Sequence, residues 1–298
     1  MDSLTIFFIV SECDMMIVYQ ARSLGDMRVL VTGASRGIGR AIATRFAERY
    51  GSDLIVGLLA RSSTAPVHSS LEGSLRDTAR DVSLYGSVAF QLPTDLRDSS
   101  SVRSSISHFL HTVGGLDVLV NNASALVPNP RKQVEDKSMS LLYEVNTRGT
   151  MVCLDACREA LLDSAGSVVT VSPPIRMGRL DWLRQYGVPY TVSKYSMTLA
   201  TLAEARSDGL RANCIWPRHM ISTAATERLE RMGIVPGAHS DGRDAMEFAD
   251  AVVRLAVHDT QRNAQCVFDD DVLPSLPRTN APLDAYAEER LERRMRQQ

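Results

Sequence analysis

The chain has 298 residues, 44% of them hydrophobic and 23% charged, with a formal net charge of −2. That is enough apolar material for one substantial core, or a core with an appendage. The near-neutral balance gives no electrostatic ground for expecting nucleic acid or an anionic membrane as partner.

Residues 1–26 read as an N-terminal extension. Leu4–Val10 is apolar but too short to cross a bilayer, and Glu12 and Asp14 interrupt any continuation. No basic start with a cleavage region marks a secretory leader, and no arginine-rich, acid-poor stretch marks a mitochondrial one. The cytoplasm is the expected compartment, and no membrane span is expected.

Residues 27–275 carry the pattern of one α/β domain. Arg28–Thr32 is a short β-branched run suited to a buried strand. Gly33, Gly37 and Gly39 follow at once, and Ala41, Ile42 and Phe46 then recur with helical spacing. Strand, glycine turn and helix start in that order form a phosphate cradle. Glycine lets a diphosphate approach bare backbone, and the helix aims its unpaired N–H groups and positive dipole end at it.

The helix is expected over about Gly37–Tyr50 and a second buried strand over Leu54–Ala60. A Ser/Pro-rich loop, Ser62–Ser70, leads to a polar helix near Leu75–Leu84. Strand three covers Val88–Leu92 and ends at Thr94-Asp95-Leu96. A helix over Ser101–Val113 precedes strand four, Asp117–Val120, which runs into Asn121-Asn122-Ala123. One long helix is expected over Met139–Asp163, strand five over Ser167–Ser172, and a helix over Pro189–Ala205. Strand six, Arg211–Ile215, a helix over Ala245–Val257 and a last strand, Gln265–Phe268, complete the series. Alternating strands and helices with short crossovers demand a parallel sheet covered on both faces, a doubly wound Rossmann-type fold. Residues 276–298 read as a charged tail with helical spacing, Glu289 and Arg293 standing at i,i+4.

The five cysteines, Cys13, Cys153, Cys157, Cys214 and Cys266, include no CxxC pair. They read as small buried hydrophobes in a reducing compartment. The histidines form no ligand-spaced cluster, so no metal is expected.

Four motifs then occur in register: TGASRGIG at Thr32–Gly39, NNAS at Asn121–Ser124, Asn146 within VNTRG, and YTVSK at Tyr190–Lys194. Together they resemble the short-chain dehydrogenase/reductase family over roughly Met27–Leu273. Finer features (SPPI at Ser172–Ile175, NTRGT at Asn146–Thr150, WPRHMISTAA at Trp216–Ala225) resemble a hydroxysteroid dehydrogenase-like branch that carries a sterol-carrier domain after the catalytic one. Here the chain stops soon after the last strand, so that domain is not expected. The resemblance implies a nicotinamide-dependent oxidoreductase acting on a small carbonyl or alcohol. It also implies a homo-oligomer, dimer or tetramer, built through the helices near Met139–Asp163 and Pro189–Ala205, and allows a peroxisomal or mitochondrial address.

Tyr190 and Lys194 stand at i and i+4, on one helix face. A phenol with a pKa near 10 is a poor proton shuttle at neutral pH, and a neighbouring ammonium would favour the phenolate. Tyr190 is therefore the expected general acid or base. The resemblance assigns Lys194 the nicotinamide ribose hydroxyls and Asn146 a proton-relaying water. It places the adenine at Asp95 and Leu96, the nicotinamide floor at Asn122 and Ala123, and the carboxamide at Thr223. Gly33, Ala34, Ser35, Arg36, Gly37, Ile38 and Gly39 would make the turn around the diphosphate.

The family's remaining catalytic group, a serine ending strand five, falls here on Pro173. Ser172 lies one step earlier and could substitute only if the Pro-Pro turn rotated it inward. Loss of one oxyanion donor typically costs about 10²–10³ in rate. Cofactor choice rests on charge. Where an acid would pair with the ribose diol of NAD, the chain offers Arg61, with Arg36 in the glycine turn, and two guanidinium forks fit the 2′-phosphate of NADP. Two classes of function follow: an NADP-dependent carbonyl/alcohol oxidoreductase, or an NADP-binding sensor or scaffold that has lost turnover. Met177, Leu180 and Trp182 point to an apolar substrate pocket.

Overall fold

The computed structural model describes residues 27–61, 63, 72–127, 135–175, 187–206, 210–235, 237 and 239–273. The expectations for the extension, for most of the Ser/Pro-rich loop, for Met177, Leu180 and Trp182, and for the charged tail lie outside the described residues.

Seven strands form one sheet: β1 (Met27–Thr32), β2 (Leu54–Ala60), β3 (Val88–Pro93), β4 (Val118–Asn121), β5 (Ser167–Val171), β6 (Arg211–Trp216) and β7 (Cys266–Phe268). Their order is β3-β2-β1-β4-β5-β6-β7 and all adjacent strands pair in parallel. This is the doubly wound arrangement read from the sequence. The strands are apolar on both faces because both are covered. Val29 and Val31 of β1 join a core with Phe46, Val82 and Phe248, whereas Leu30 between them faces Ile106, Phe109 and Cys157.

One layer comprises α1 (Gly37–Tyr50), α2 (Leu75–Ser83) and, further along, the helix Ala245–Val253; the other comprises α3 (Ser99–Val113) and two later helices. The single long helix expected near Met139–Asp163 starts earlier and is divided. It runs as α4 (Asp136–Leu142), a π-helical turn (Tyr143–Arg148) and α5 (Gly149–Asp163). The π turn carries Asn146, consistent with the tendency of such insertions to fall at functional sites. After α6 (Val188–Arg206), a helix the sequence reading left as loop, α7 (Ala224–Arg231), follows Thr223, and Ala245–Val253 is α8. Alpha-helix α7 has a capping box of two threonines, Thr223 and Thr226, in place of the usual Glu or Gln partner, which hid it from the pattern.

Strand order reverses between β1 and β4, so the crevice outside their carboxyl ends is the topological switch point where such folds bind ligands. Gly33 follows the one strand and Asn122 the other.

Candidate active site

The turn after β1 is packed too tightly for a side chain at Gly33 or Gly39. A Cβ on Gly39 would lie 2.3 Å from the Gly33 carbonyl oxygen and 2.6 Å from Asn122 Nδ2. A Cβ on Gly33, whose φ is +68°, would lie 2.8 Å from Ala123 Cα. Asn122 Nδ2 donates to the Thr32 carbonyl at 3.0 Å and lies 3.4 Å from that of Gly33. The Thr32 hydroxyl in turn accepts from the backbone N–H groups of Asn122 and Ala123, each at 3.1 Å. The two strand ends are thus stitched together, and α1 begins directly above them. Its first turn has no side-chain cap and no acidic residue, so its N–H groups are left for an external anion.

A cavity of about 710 Å³ opens from this turn, a size suited to a nucleotide cofactor with its substrate. Ser35, Arg36, Gly37 and Ile38 line one end, whereas Ala34 is buried behind the turn. Arg36 and Arg61 both reach this end. Burial and the like charge of Arg61 hold Arg36 below the ordinary guanidinium value, so an anion between them would relieve a real repulsion. Asp95 and Leu96 line the same side. The Asp95 carboxylate is forked by Arg97, with Nη2 at 2.6 Å and Nε at 2.9 Å from Oδ2. Burial raises its pKa, but the hydrogen bonds and charge of Arg97, with help from Arg61, bring it below the usual carboxylate range. These facts fit a phosphorylated dinucleotide: bare helix N–H groups, a cradle closed to Cβ atoms and paired guanidinium groups beside it.

Asn122, Ala123, Ser124, Pro173, Tyr190 and Thr223 also line the cavity. Thr223 stands beside the glycine turn, its Cγ2 3.5 Å from where a Gly37 Cβ would be, and its hydroxyl accepts from Thr226 N–H to cap α7. Asn146 is fully buried. Its Oδ1 accepts from Ala125 N–H at 2.6 Å, and its Nδ2 donates to the Ala125 carbonyl at 3.0 Å and to the Ser193 hydroxyl at 2.9 Å. Ser193 Oγ donates to the Tyr190 carbonyl at 2.7 Å, which links this clamp to the first turns of α6.

The structure bears on two expectations. The first is Ser172 as a stand-in for the missing serine, and its hydroxyl is turned away from the cavity wall. Beta-strand β5 ends at Val171, and the Ser172 side chain is fully buried, 2.9 Å from the Thr198 hydroxyl of α6, while Pro173 and Pro174 occupy the cavity wall. The Thr198 hydroxyl also donates to the Pro173 carbonyl at 2.8 Å, which fixes the turn in this sense. The second concerns Tyr190 and Lys194. Lys194 is buried, and its Nζ donates to the Val171 carbonyl at 2.6 Å, 5.4 Å from the centre of the Trp216 ring. Burial pushes its ammonium down to about 7. Burial also pushes the Tyr190 phenol up to about 12, opposed only by a hydrogen bond from the Ser124 side chain. Desolvation is the larger influence on the Tyr190 phenol and favours its neutral form.

Sequence reasoning also missed the support of the Thr223 loop. Arg243 is buried with Nη1 2.6 Å from Asp269 Oδ2 and 2.7 Å from Asp270 Oδ1. Its backbone accepts from Ser222 N–H and donates to the Met220 carbonyl. Arg243 and the acids Asp269–Asp271 are far apart in sequence, and only tertiary structure brings them together. Among the described residues no helix is long and apolar enough to cross a membrane and no group of metal-ligating side chains assembles. Cys153, Cys157, Cys214 and Cys266 are free.

The sequence model described as short chain dehydrogenase matches residues 27–232. Hydroxysteroid dehydrogenase-like protein 2 of Bos taurus is 34% identical over 214 residues, 71% of this chain and 50% of that protein. The chain spans about half the length of the curated relatives it matches. A short chain dehydrogenase of Mycobacterium thermoresistibile superposes with a TM-score of 0.72 at 31% identity, covering 85% of this chain and 88% of that one. A dehydrogenase structure from Xanthomonas campestris gives 0.73 at 32%, covering 85% and 90%.

Proposed function

The chain belongs to the short-chain dehydrogenase/reductase family, and from that premise we propose that it is an NADP(H)-dependent enzyme interconverting a carbonyl and a secondary alcohol. The observation that carries this reading is one cavity lined both by uncapped helix N–H groups with two arginines and by the half-buried Tyr190. The Gly33–Gly39 turn and the start of α1 would hold the diphosphate, Arg36 and Arg61 the 2′-phosphate, and Asp95 with Leu96 the adenine. Asn122 and Ala123 would floor the nicotinamide half, with Lys194 on its ribose and Thr223 at the carboxamide. The nicotinamide supplies or removes the hydride.

The chain's own part is proton transfer and positioning. A neutral phenol is the right form for protonating an alkoxide, so Tyr190 serves reduction as general acid. In the alcohol-oxidising direction the same side chain would accept the proton as general base. Lys194, an amine titrating near 7, passes protons in either direction at little cost, with Asn146 ordering the relay. Leu126, Leu141, Val145, Met220 and Phe268 give the substrate end an apolar lining that suits an apolar carbonyl. Exposed Met139, Tyr143 and Met151 along α4–α5 and Val192 and Leu199 on α6 supply the apolar faces for a homo-oligomer.

The test is NADPH oxidation by the full chain against a panel of ketones, aldehydes and quinones. Turnover that disappears in Tyr190→Phe supports the reading; a fully active Tyr190→Phe overturns it. One observation favours a second reading, an NADP-binding scaffold without turnover: Pro173 faces the cavity where the family's serine would stand. Tight NADPH binding with no turnover on any carbonyl would decide for it.

A further inference from the structure

Reduction of a carbonyl builds negative charge on its oxygen, and one phenol is a meagre site for it. With Pro173 at the cavity wall and the Ser172 hydroxyl committed to Thr198, the end of β5 offers that oxygen no side-chain donor. The opposite wall does. Ser124 lines the cavity together with Tyr190 and Pro173, and its side chain is exposed to it. Its hydroxyl lies close enough to the Tyr190 phenol to favour the charged form of that phenol. Its bond to the Ala125 carbonyl is long at 3.3 Å.

The backbone that carries this hydroxyl is pinned on both sides. Thr32 Oγ1 holds the N–H groups of Asn122 and Ala123 before it, and Asn146 holds both polar atoms of Ala125 after it. Such fixing is what a preorganised donor needs, since it then costs no reorganisation as charge develops. Two hydroxyls already within hydrogen-bonding reach of each other can converge on one oxygen placed between them.

We propose that the Ser124 hydroxyl is the second donor to the substrate's carbonyl oxygen, replacing the serine that the end of β5 lacks. The inference rests on the carbonyl-reduction reading above. In the step, hydride adds to the carbonyl carbon and the C–O π pair becomes an alkoxide lone pair. Tyr190 gives its proton to that oxygen and later recovers one from solvent. Ser124 keeps its own proton and donates a hydrogen bond throughout.

The experiment uses the full chain, NADPH and the same carbonyl panel. Ser124→Ala is expected to lower kcat by about 10²–10³, with NADPH affinity, read by protein-to-NADPH energy transfer, changed less than twofold. Ser124→Thr keeps a hydroxyl and should keep most of the rate. Ser124→Cys keeps the shape but donates weakly and should lose it, which covers the case of an alanine variant that does not fold. If Tyr190→Phe is inactive while Ser124→Ala stays within about threefold of the parent, this inference alone is overturned. It is also overturned if the loss in Ser124→Ala lies in NADPH affinity. If the parent turns over no carbonyl, or Tyr190→Phe is fully active, the underlying reading fails and this one with it.

Discussion

The side-chain amide of Asn146 closes a ring with the backbone of Ala125, accepting from its N–H at 2.6 Å and donating to its carbonyl at 3.0 Å. Twenty-one residues separate the two in sequence. The ring fastens the segment after β4, which floors the cavity, to the π turn before α5, and the third bond to Ser193 adds α6. Asn146 therefore positions three elements of the site at once.

Asn146→Leu removes both halves of that ring and leaves the buried Ala125 N–H and carbonyl without their partner. Each unsatisfied buried group costs about 1–3 kcal/mol, so a drop in stability of about that size or somewhat more is expected in urea unfolding. Asn146→Asp keeps the acceptor for Ala125 N–H but sets a carboxylate against the Ala125 carbonyl, and should destabilise as well. A leucine variant as stable as the parent would show that the clamp is dispensable.

The glycines of the cradle make a second, graded prediction. Gly39→Ala must displace backbone, because the Gly33 carbonyl and Asn122 Nδ2 stand 2.3 Å and 2.6 Å from the new Cβ. It should abolish NADPH binding, measured by fluorescence titration, and lower Tm. Gly37→Ala meets only ordinary contact with Thr223 at 3.5 Å, so its penalty is the left-handed φ of +51°, roughly 1–2 kcal/mol. It should fold, with a modest loss of Tm. If the two variants behave alike, the close approach is not what selects glycine at residue 39.

How much of this was legible follows from how local each signal is. Strand β1, the glycine turn and the start of α1 share one continuous stretch, so their order alone announces a cradle, and the parallel doubly wound sheet follows from strand–helix alternation. Position along a helix also survives translation: Tyr190 and Lys194 do share α6. Their protonation does not, because it is set by burial from β5 and Trp216, elements 20 residues or so away in either direction. Ser172 was ambiguous for a similar reason. Whether its hydroxyl turned to the cavity depended on Thr198, two turns into α6, and on which face the Pro-Pro turn would present. Ser124 sat in plain view within NNAS, but only its proximity to Tyr190 gives it a task.

The paired arginines give a third prediction, on cofactor preference. Hydrogen bonds to charged groups are worth about 1.5–3 kcal/mol each. Arg61→Ala and Arg36→Ala should therefore each raise KM for NADPH about tenfold or more, with KM for NADH little changed. Either substitution also removes the like charge that Arg61 sets against Arg36. Equal losses with both cofactors would place these side chains on the diphosphate rather than on a 2′-phosphate.

The last prediction is a pH dependence of stability with a definite sign. Burial holds the Lys194 ammonium near 7 in the folded chain, against about 10.4 for an exposed lysine. Between those values the unfolded chain binds a proton at this residue that the folded chain does not, so stability must rise with pH across that window. The slope approaches about 1.4 kcal/mol per pH unit at its steepest, less whatever the Trp216 ring returns to the charged form. Below about pH 7 both states are protonated and the contribution is flat at its lower level. Lys194→Met has no such proton, so the difference in unfolding free energy between parent and variant should climb from pH 7 towards pH 10 in denaturant titrations. Parallel curves across that range would mean that Lys194 keeps an ordinary pKa, and with it the ability to draw Tyr190 towards the phenolate.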